Sequence, residues 1–220
     1  MHDLDVLFED NHCLAVLKPA RVLVAPDRTG DVSLLDLGRQ YLKQKYNKPG
    51  DVFLGLLHRL DRPVSGVVLF ARTSKAAARL SEQFRTGAIG KVYHALVEGA
   101  VSPREGELSH WLSKDQITNV VTSVAPETPG AKPCTLRYRQ LHAGGQLTLL
   151  EVTPLSGRSH QIRVQLACAG HPIYGDGKYG SPHGFDGRIA LHAARLHFEH
   201  PVRHEPVTIT APTPADWPEP

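Results

Sequence analysis

The sequence predicts a loop-rich protein of mixed α+β class, and three observations predict it. Most apolar residues fall in short runs closed by Gly, Pro, Asn or Asp, which is how strands read. Only three stretches carry apolar residues at helical spacing behind a capping residue. The 220 residues include 19 Gly and 17 Pro against 6% aromatics, a composition of many turns. With 41% hydrophobic and 21% charged residues the chain is a folded globular one. No repeat or linker divides it, so one domain over 1–220 is expected, with the Pro-rich tail 212–220 loosely attached.

Residues 6–8 and 13–17 are apolar runs joined by Glu9-Asp10-Asn11-His12, a hairpin pattern stopped by Lys18-Pro19. Leu34, Leu35, Leu37, Tyr41, Leu42 and Tyr46 recur at helical spacing behind Ser33, and Pro49-Gly50 ends that helix. Residues 67–71 form a five-residue apolar run, the mark of a buried strand. Thr73 or Ser74 then caps a helix to about Arg85, stopped by Gly87, with Ala77, Leu80 and Phe84 on one face and Lys75 and Arg79 on another. Strands are expected near 92–97, 108–112, 119–124, 135–141 and 146–152, with a loop over 126–133. A helix over 159–169 capped by Ser159 and ended by Gly170 follows, then strands near 189–198 and 206–210.

Net charge is only +3, but it is uneven. Residues 59–91 hold seven basic and two acidic side chains, +5 in all, leaving −2 elsewhere. Such a concentration is the footprint of a polyanion binder or, equally, of a solvated basic helix face. Three widely spaced cysteines, Cys13, Cys134 and Cys168, suit a reducing compartment rather than a disulfide framework. The first residues carry acids where a signal peptide carries bases, and no apolar run approaches membrane-spanning length. A cytoplasmic protein with no membrane partner is expected.

The chain is organised around His58-Arg59-Leu60-Asp61-Arg62-Pro63-Val64-Ser65-Gly66, directly ahead of the buried run. Arg59 and Arg62 would keep Asp61 ionised, since nearby positive charge favours a carboxylate, and a fixed carboxylate can serve as nucleophile or base. Alone, an Asp between two Arg is ordinarily a strand-end salt bridge. Gly157-Arg158-Ser159-His160-Gln161-Ile162-Arg163 places a glycine turn at a helix start, with His160 and Arg163 three apart on one face; alone it reads as a polar surface helix. Lys91-Val92-Tyr93 puts a phenol in an apolar strand, ordinarily a packing residue. Gly175-Asp176-Gly177-Lys178-Tyr179-Gly180 matches G-x-G-x-x-G, but prolines at 172 and 182 leave no helix to receive a dinucleotide. His192, His197, His200 and His204 lack an H-E-x-x-H or paired-Cys context, so no metal is expected.

Together these blocks resemble the RluA family of pseudouridine synthases. The H-R-L-D hallmark is His58-Arg59-Leu60-Asp61 with Ser65-Gly66, the basic-x-Tyr signature is Lys91-Val92-Tyr93, and G-R-x-H-Q-[IL]-R is Gly157 to Arg163. Lys18-Pro19, Gly170-His171-Pro172-Ile173 with Gly175-Asp176, and Leu191-His192-Ala193 support it, in the family's order over roughly residues 5–212. Two departures stand out: the chain opens on the catalytic hairpin with no ribosomal-protein-type RNA-binding domain ahead of it, and Arg21 stands where relatives commonly carry glycine. The resemblance implies a bent, mostly antiparallel mixed sheet with flanking helices and a central cleft. It implies conversion of uridine to pseudouridine in structured tRNA or rRNA by a monomer needing no cofactor or metal. Asp61 would be the essential carboxylate, acting by attack on the sugar or by elimination, with Arg163 paired to it and Tyr93 stacking on the base and moving protons. Arg59 would fill the space of the flipped base. Arg62, Lys75, Arg79, Arg158 and His160 would contact RNA. The competing reading is a non-catalytic RNA-binding or ribosome-assembly protein on the same fold.

Overall fold

In the computed structural model, which describes residues 4–220, the apolar runs are strands and the capped stretches are helices. The described residues form β1 (Val6–Glu9), β2 (Cys13–Lys18), α1 (Leu34–Lys45), β3 (Gly55–Leu56), β4 (Ser65–Ala71), α2 (Ser74–Thr86) and β5 (Gly90–Glu98). They continue with β6 (Glu105–Lys114), β7 (Val121–Val124), β8 (Lys132–Gly144), β9 (Leu147–Pro154), α3 (Gln161–Cys168), β10 (Leu191–Glu199) and β11 (Pro206–Thr210). The class is α+β, and the strand pairings within each unit described below are antiparallel. The chain divides into two compact units: residues up to Lys91 with Ala193–Thr213, and Val92–His192 with Pro214–Pro220.

In the first unit β1 and β2 form the expected hairpin, and β2 pairs with β4 from Cys13↔Ala71 to Lys18↔Gly66. All of β4 is buried, which explains a continuous apolar run where a half-exposed strand would alternate. β10 lies beside β4 and carries β11. One core joins these elements: Ala15, Val67, Leu69, Leu196, Phe198 and Ile209 meet Ala76 and Leu80, one helical turn apart on α2. Each buried Val, Leu, Ile or Phe side chain contributes about 2 kcal/mol. Both helices start where the sequence says. Ser33 and Asp36 close a reciprocal capping box on α1, Thr73 caps α2, and Gly87 ends it at φ 76°.

The loop from β3 to β4 is shaped by side chains that stand in for backbone partners. β3 covers only two residues of the β4 edge, and the next donor, Leu69 N–H, is taken by His58 Nε2 at 3.0 Å. The His58 ring stacks on Phe84 of α2 at 4.7 Å. Lys18, with 0% exposure, donates from Nζ to the carbonyls of Pro19 (3.0 Å), Arg62 (3.1 Å) and Val64 (2.6 Å). At Gly66, φ is 124° and an added Cβ would lie 2.4 Å from both backbone N and O of Ala193. Only glycine lets β4 lie that close to β10.

In the second unit the strand order is β5-β9-β8-β6-β7, with Tyr93 opposite Val152. Two positions of β8 differ from the sequence pattern. Pro133, expected in a loop, sits at the start of β8 opposite Trp111, a position where a strand tolerates proline. The β8–β9 register shifts between Gln140 and His142, so Leu141 sits in an irregularity and is exposed. The cap of α3 also differs. Ser159 does not cap it; His160 is the N-cap residue at φ 51°, without a side-chain cap bond. The Gln161 carboxamide instead ties down the loop ahead of the helix, accepting from Ser156 Oγ (2.7 Å) and Arg158 N–H (3.1 Å) and donating to Thr135 O (3.0 Å). The β6–β7 tip is an Asx turn on Asp115 that leaves Ile117 94% exposed. Pro214–Pro220 lies on this unit, with Asp216 paired to Arg188 and Trp217 edge-on to His192 at 6.5 Å.

Two predictions follow from the loop. Gly66→Ala must destabilise by at least about 2 kcal/mol, because neither backbone can yield without breaking strand pairing; urea unfolding measures it. Burial, with Lys91 acting the same way, pulls His58 from 6.5 to about 4. The fold therefore holds a neutral imidazole: its stabilisation is complete above pH 6.5 and is lost as pH falls towards 4. The loss is at most about 3 kcal/mol, and His58→Asn removes that pH dependence; equal slopes for the two proteins between pH 7 and 4 would refute the assignment.

Candidate active site

Asp61 sits half-buried in the turn before β4, where Val64 N–H returns to its carbonyl at 3.0 Å. Beneath it lies the Lys18 amine. Burial brings that amine down to about 7, with Asp61 raising it and Arg62 lowering it. Three carbonyl acceptors match the three hydrogens of an ammonium, so the cage satisfies the charged form.

The basic residues around Asp61 separate. Arg59 is exposed. Arg62, expected to flank the carboxylate, turns instead to Asp31 Oδ2 (2.6 Å) and to Arg21 O (3.0 Å), because Arg21 N–H has already fastened to Arg62 O at 2.7 Å. Arg21 does this at φ 72°, a backbone setting that glycine adopts freely and other residues seldom do. On α2, Lys75 is exposed while Arg79 is half-buried and donates to Pro201 O, bracing the β10–β11 turn.

The second unit brings four side chains together. Arg163 on α3 is 6% exposed, and its Nε and Nη2 form a two-pronged pair with Asp176 Oδ2 (2.7 Å) and Oδ1 (2.9 Å); Asp176 is 1% exposed. The guanidinium lies over the Tyr179 ring at 4.9 Å, and Tyr179 Oη is 2.6 Å from His160 Nδ1. Gly175, at φ 83° with Phe185 Cβ 2.5 Å from an added Cβ, sets the turn that delivers Asp176. Tyr93 is half-buried on β5, and Arg158 is exposed with Nε on Pro133 O at 3.3 Å. The sequence expectation gave Arg163 only Asp61 as a partner; it missed Asp176 and Tyr179. The signal was present in Gly175-Asp176, but no spacing rule links residues 163 and 176.

Asp10, Cys13 and His200 bring ligand atoms within 4.8 Å of one another, the one such cluster among the described residues. Their lone pairs are committed. Asp10 Oδ1 accepts from His12 and Cys13 N–H, Oδ2 faces His200 Nε2 at 2.7 Å, and His200 Nδ1 accepts from Val202 and Arg203 N–H. Burial pushes the Cys13 thiol up to about 12, so no thiolate is offered. The cluster is a clamp between two hairpin turns. Two concavities of the second unit, about 390 and 510 Å³, are lined by residues other than the candidates.

Chemically, the first unit presents a carboxylate on a rigid turn and the second an oriented, buried guanidinium; neither set contains a redox or phosphate-cradling group. Comparison with known proteins agrees. Residues 12–168 match the family model described as RNA pseudouridylate synthase. The dual-specificity RNA pseudouridine synthase RluA of Vibrio vulnificus is 36% identical over 91% of this chain and 79% of that protein. The tRNA pseudouridine synthase C of Yersinia pestis is 32% identical over 97% of this chain and 88% of that protein. The solved human RNA pseudouridylate synthase domain containing 4 shares the fold at a TM-score of 0.80, with 23% identity over 96% of this chain and 89% of its own. The chain therefore belongs to the RluA-type RNA pseudouridine synthases, isomerases that convert uridine to pseudouridine in RNA.

Proposed function

We propose that Asp61, Tyr93 and Arg163 are the residues with which this chain isomerises uridine, and that its substrate is structured tRNA or rRNA. The observation that carries the proposal is the fixed, buried Arg163 in Gly157-Arg158-Ser159-His160-Gln161-Ile162-Arg163: a guanidinium this desolvated needs a reason beyond stability, since a buried ion pair stabilises little by itself. The names of relatives point the same way, one being dual-specificity and one a tRNA enzyme.

The reaction breaks N1–C1′, turns the uracil over and joins C5 to C1′, with the C5 proton released. It needs no net redox change and no outside group. Asp61 acts at the ribose, by attack on C1′ or by removing the C2′ proton. Arg163, always protonated, holds negative charge in place and cannot itself donate the proton. Tyr93 stacks on the base and carries protons at C2′ or C5. Extruding the uridine costs a few kcal/mol, and exposed Arg59 fills the vacancy. Lys75, Arg79, Arg62, Arg158 and His160 contact the RNA; Arg62 and Arg79 must give up Asp31 and Pro201 O to do so, which weakens their contribution. Among the described residues no helix is long and apolar enough to cross a membrane, and a cytoplasmic monomer fits such a substrate.

Tritium release from RNA labelled at uracil C5 tests the assignment. The wild type should release label from tRNA or rRNA transcripts, and Asp61→Asn should release none; equal release by both would remove Asp61 from the chemistry. Asp176→Asn keeps the shape and deletes the charge that orients Arg163. It should slow release about 100-fold and lower unfolding free energy by about 3–5 kcal/mol.

A further inference from the structure

We propose that Gln161 is a positioning residue for RNA binding: it holds the backbone of Arg158 so that the outer edge of the Arg158 guanidinium meets one phosphate of the substrate. The inference rests on the functional reading above and starts where β9 stops pairing with β8, at Leu136↔Pro154. Beyond that point the carbonyls of Thr135 and Pro133, two residues apart on one strand edge, meet no further residue of β9. Groups from the segment 155–161 take them instead. Leu155 N–H (2.9 Å) and Gln161 Nε2 (3.0 Å) reach Thr135 O, and Arg158 Nε (3.3 Å) reaches Pro133 O.

The Gln161 amide can sit only one way round. Thr135 O can only accept and Arg158 N–H can only donate, so Nε2 faces the first and Oε1 the second, at 3.1 Å. Gln161 N–H also returns to Arg158 O at 3.2 Å. Both the N–H and the carbonyl of Arg158 are thus fastened to one residue, itself 4% exposed. A guanidinium has two kinds of two-pronged edge: Nε with one Nη, and the two Nη together. Nε is spent on Pro133 O, which leaves the end-on edge. Among the described residues Nη1 and Nη2 of Arg158 meet no acceptor, and the side chain is exposed. Two parallel donors on a fixed cation match two oxygens of a phosphate. Closing the loop needs only Leu155 and Gln161. Tethering a long charged side chain as well costs rotamer freedom while its charge stays in solvent, which favours a directed role.

Binding of tRNA and rRNA transcripts over a series of KCl concentrations tests it, alongside tritium-release kinetics. Arg158→Gln should weaken binding about tenfold and flatten the slope of log Kd against log salt by about 0.7 to 0.9. Gln161→Met keeps the volume and removes the amide bonds. It should flatten the slope in the same way although the Arg158 charge is still present. The double variant Arg158→Gln/Gln161→Met should be no more than about twofold worse than either single variant. Both single variants should raise KM and leave kcat within about twofold of wild type. Should Gln161→Met fail to fold, Gln161→Glu, which keeps an acceptor for Arg158 N–H and loses the donor to Thr135 O, carries the same double-variant comparison. A merely structural Gln161 would act through Arg163, two residues along the same helix. Its loss would lower kcat and Tm, leave the salt slope intact and multiply with Arg158→Gln. That pattern, or a wild-type slope in Arg158→Gln, overturns the proposal and leaves the functional reading standing. A wild type that binds neither RNA in a salt-dependent way overturns the functional reading and this proposal with it.

Discussion

A single ammonium group underlies the geometry of the Asp61 turn. Lys18 is fully buried at the end of β2, and its Nζ gathers the carbonyls of Pro19, Arg62 and Val64. Those carbonyls converge on Lys18, which pins the backbone of the turn on both sides of Pro63. His58 caps the open edge of β4 on one side of the turn and Gly66 admits Ala193 on the other. Remove the amine and the buried Val64 carbonyl loses its partner, with a desolvation cost of about 1–3 kcal/mol, while the carbonyls of Pro19 and Arg62 lose the group that draws them together. The position of the carboxylate is thus a consequence of how a buried cation is satisfied.

The second unit solves a similar problem with the opposite economy. Arg163 brings a charge into the interior of α3, where all of the first six residues are buried. A carboxylate and an aromatic face, delivered by the four residues 176–179, hold it from the edge and from above. Neither contact is demanded by the helix, which would pack better around an apolar residue. Local cost without local benefit is the pattern expected where function shapes structure.

What the sequence discloses and what it hides divide along physical lines. The capping box at Ser33, the Thr73 cap, the Gly87 stop and the continuous apolar run of β4 are local signals, and each appears where its chemistry puts it. The start of α3 misleads because a serine stands nearby, yet the helix begins without a side-chain cap and a glutamine two residues on reaches back to hold the preceding loop. Pro133 reads as loop, yet a strand's first residues need no donor there. The partnerships Lys18 with Arg62 and Val64, Arg62 with Asp31, and Arg163 with Asp176 join residues with no shared periodicity, so no pattern announces them. The carboxylate proposed to act, Asp61, was legible through the resemblance of its block, whereas the groups that support its turn became visible only in three dimensions.

The close approach of Gly66 to Ala193 also bears on the order of assembly. The first unit is built from two chain segments separated by everything from Val92 to His192. During synthesis its hairpin and β4 emerge early but leave one flank without β10 until the far segment arrives, on the order of ten seconds later at ordinary ribosomal speed. Through that interval a fully apolar strand presents an open edge, the feature most prone to pairing with a wrong neighbour. The second unit, contiguous through its strands and α3, has no such wait. Chains that end before residue 193 should therefore carry a chaperone-dependent first segment, a vulnerability written into the topology and not into any one contact.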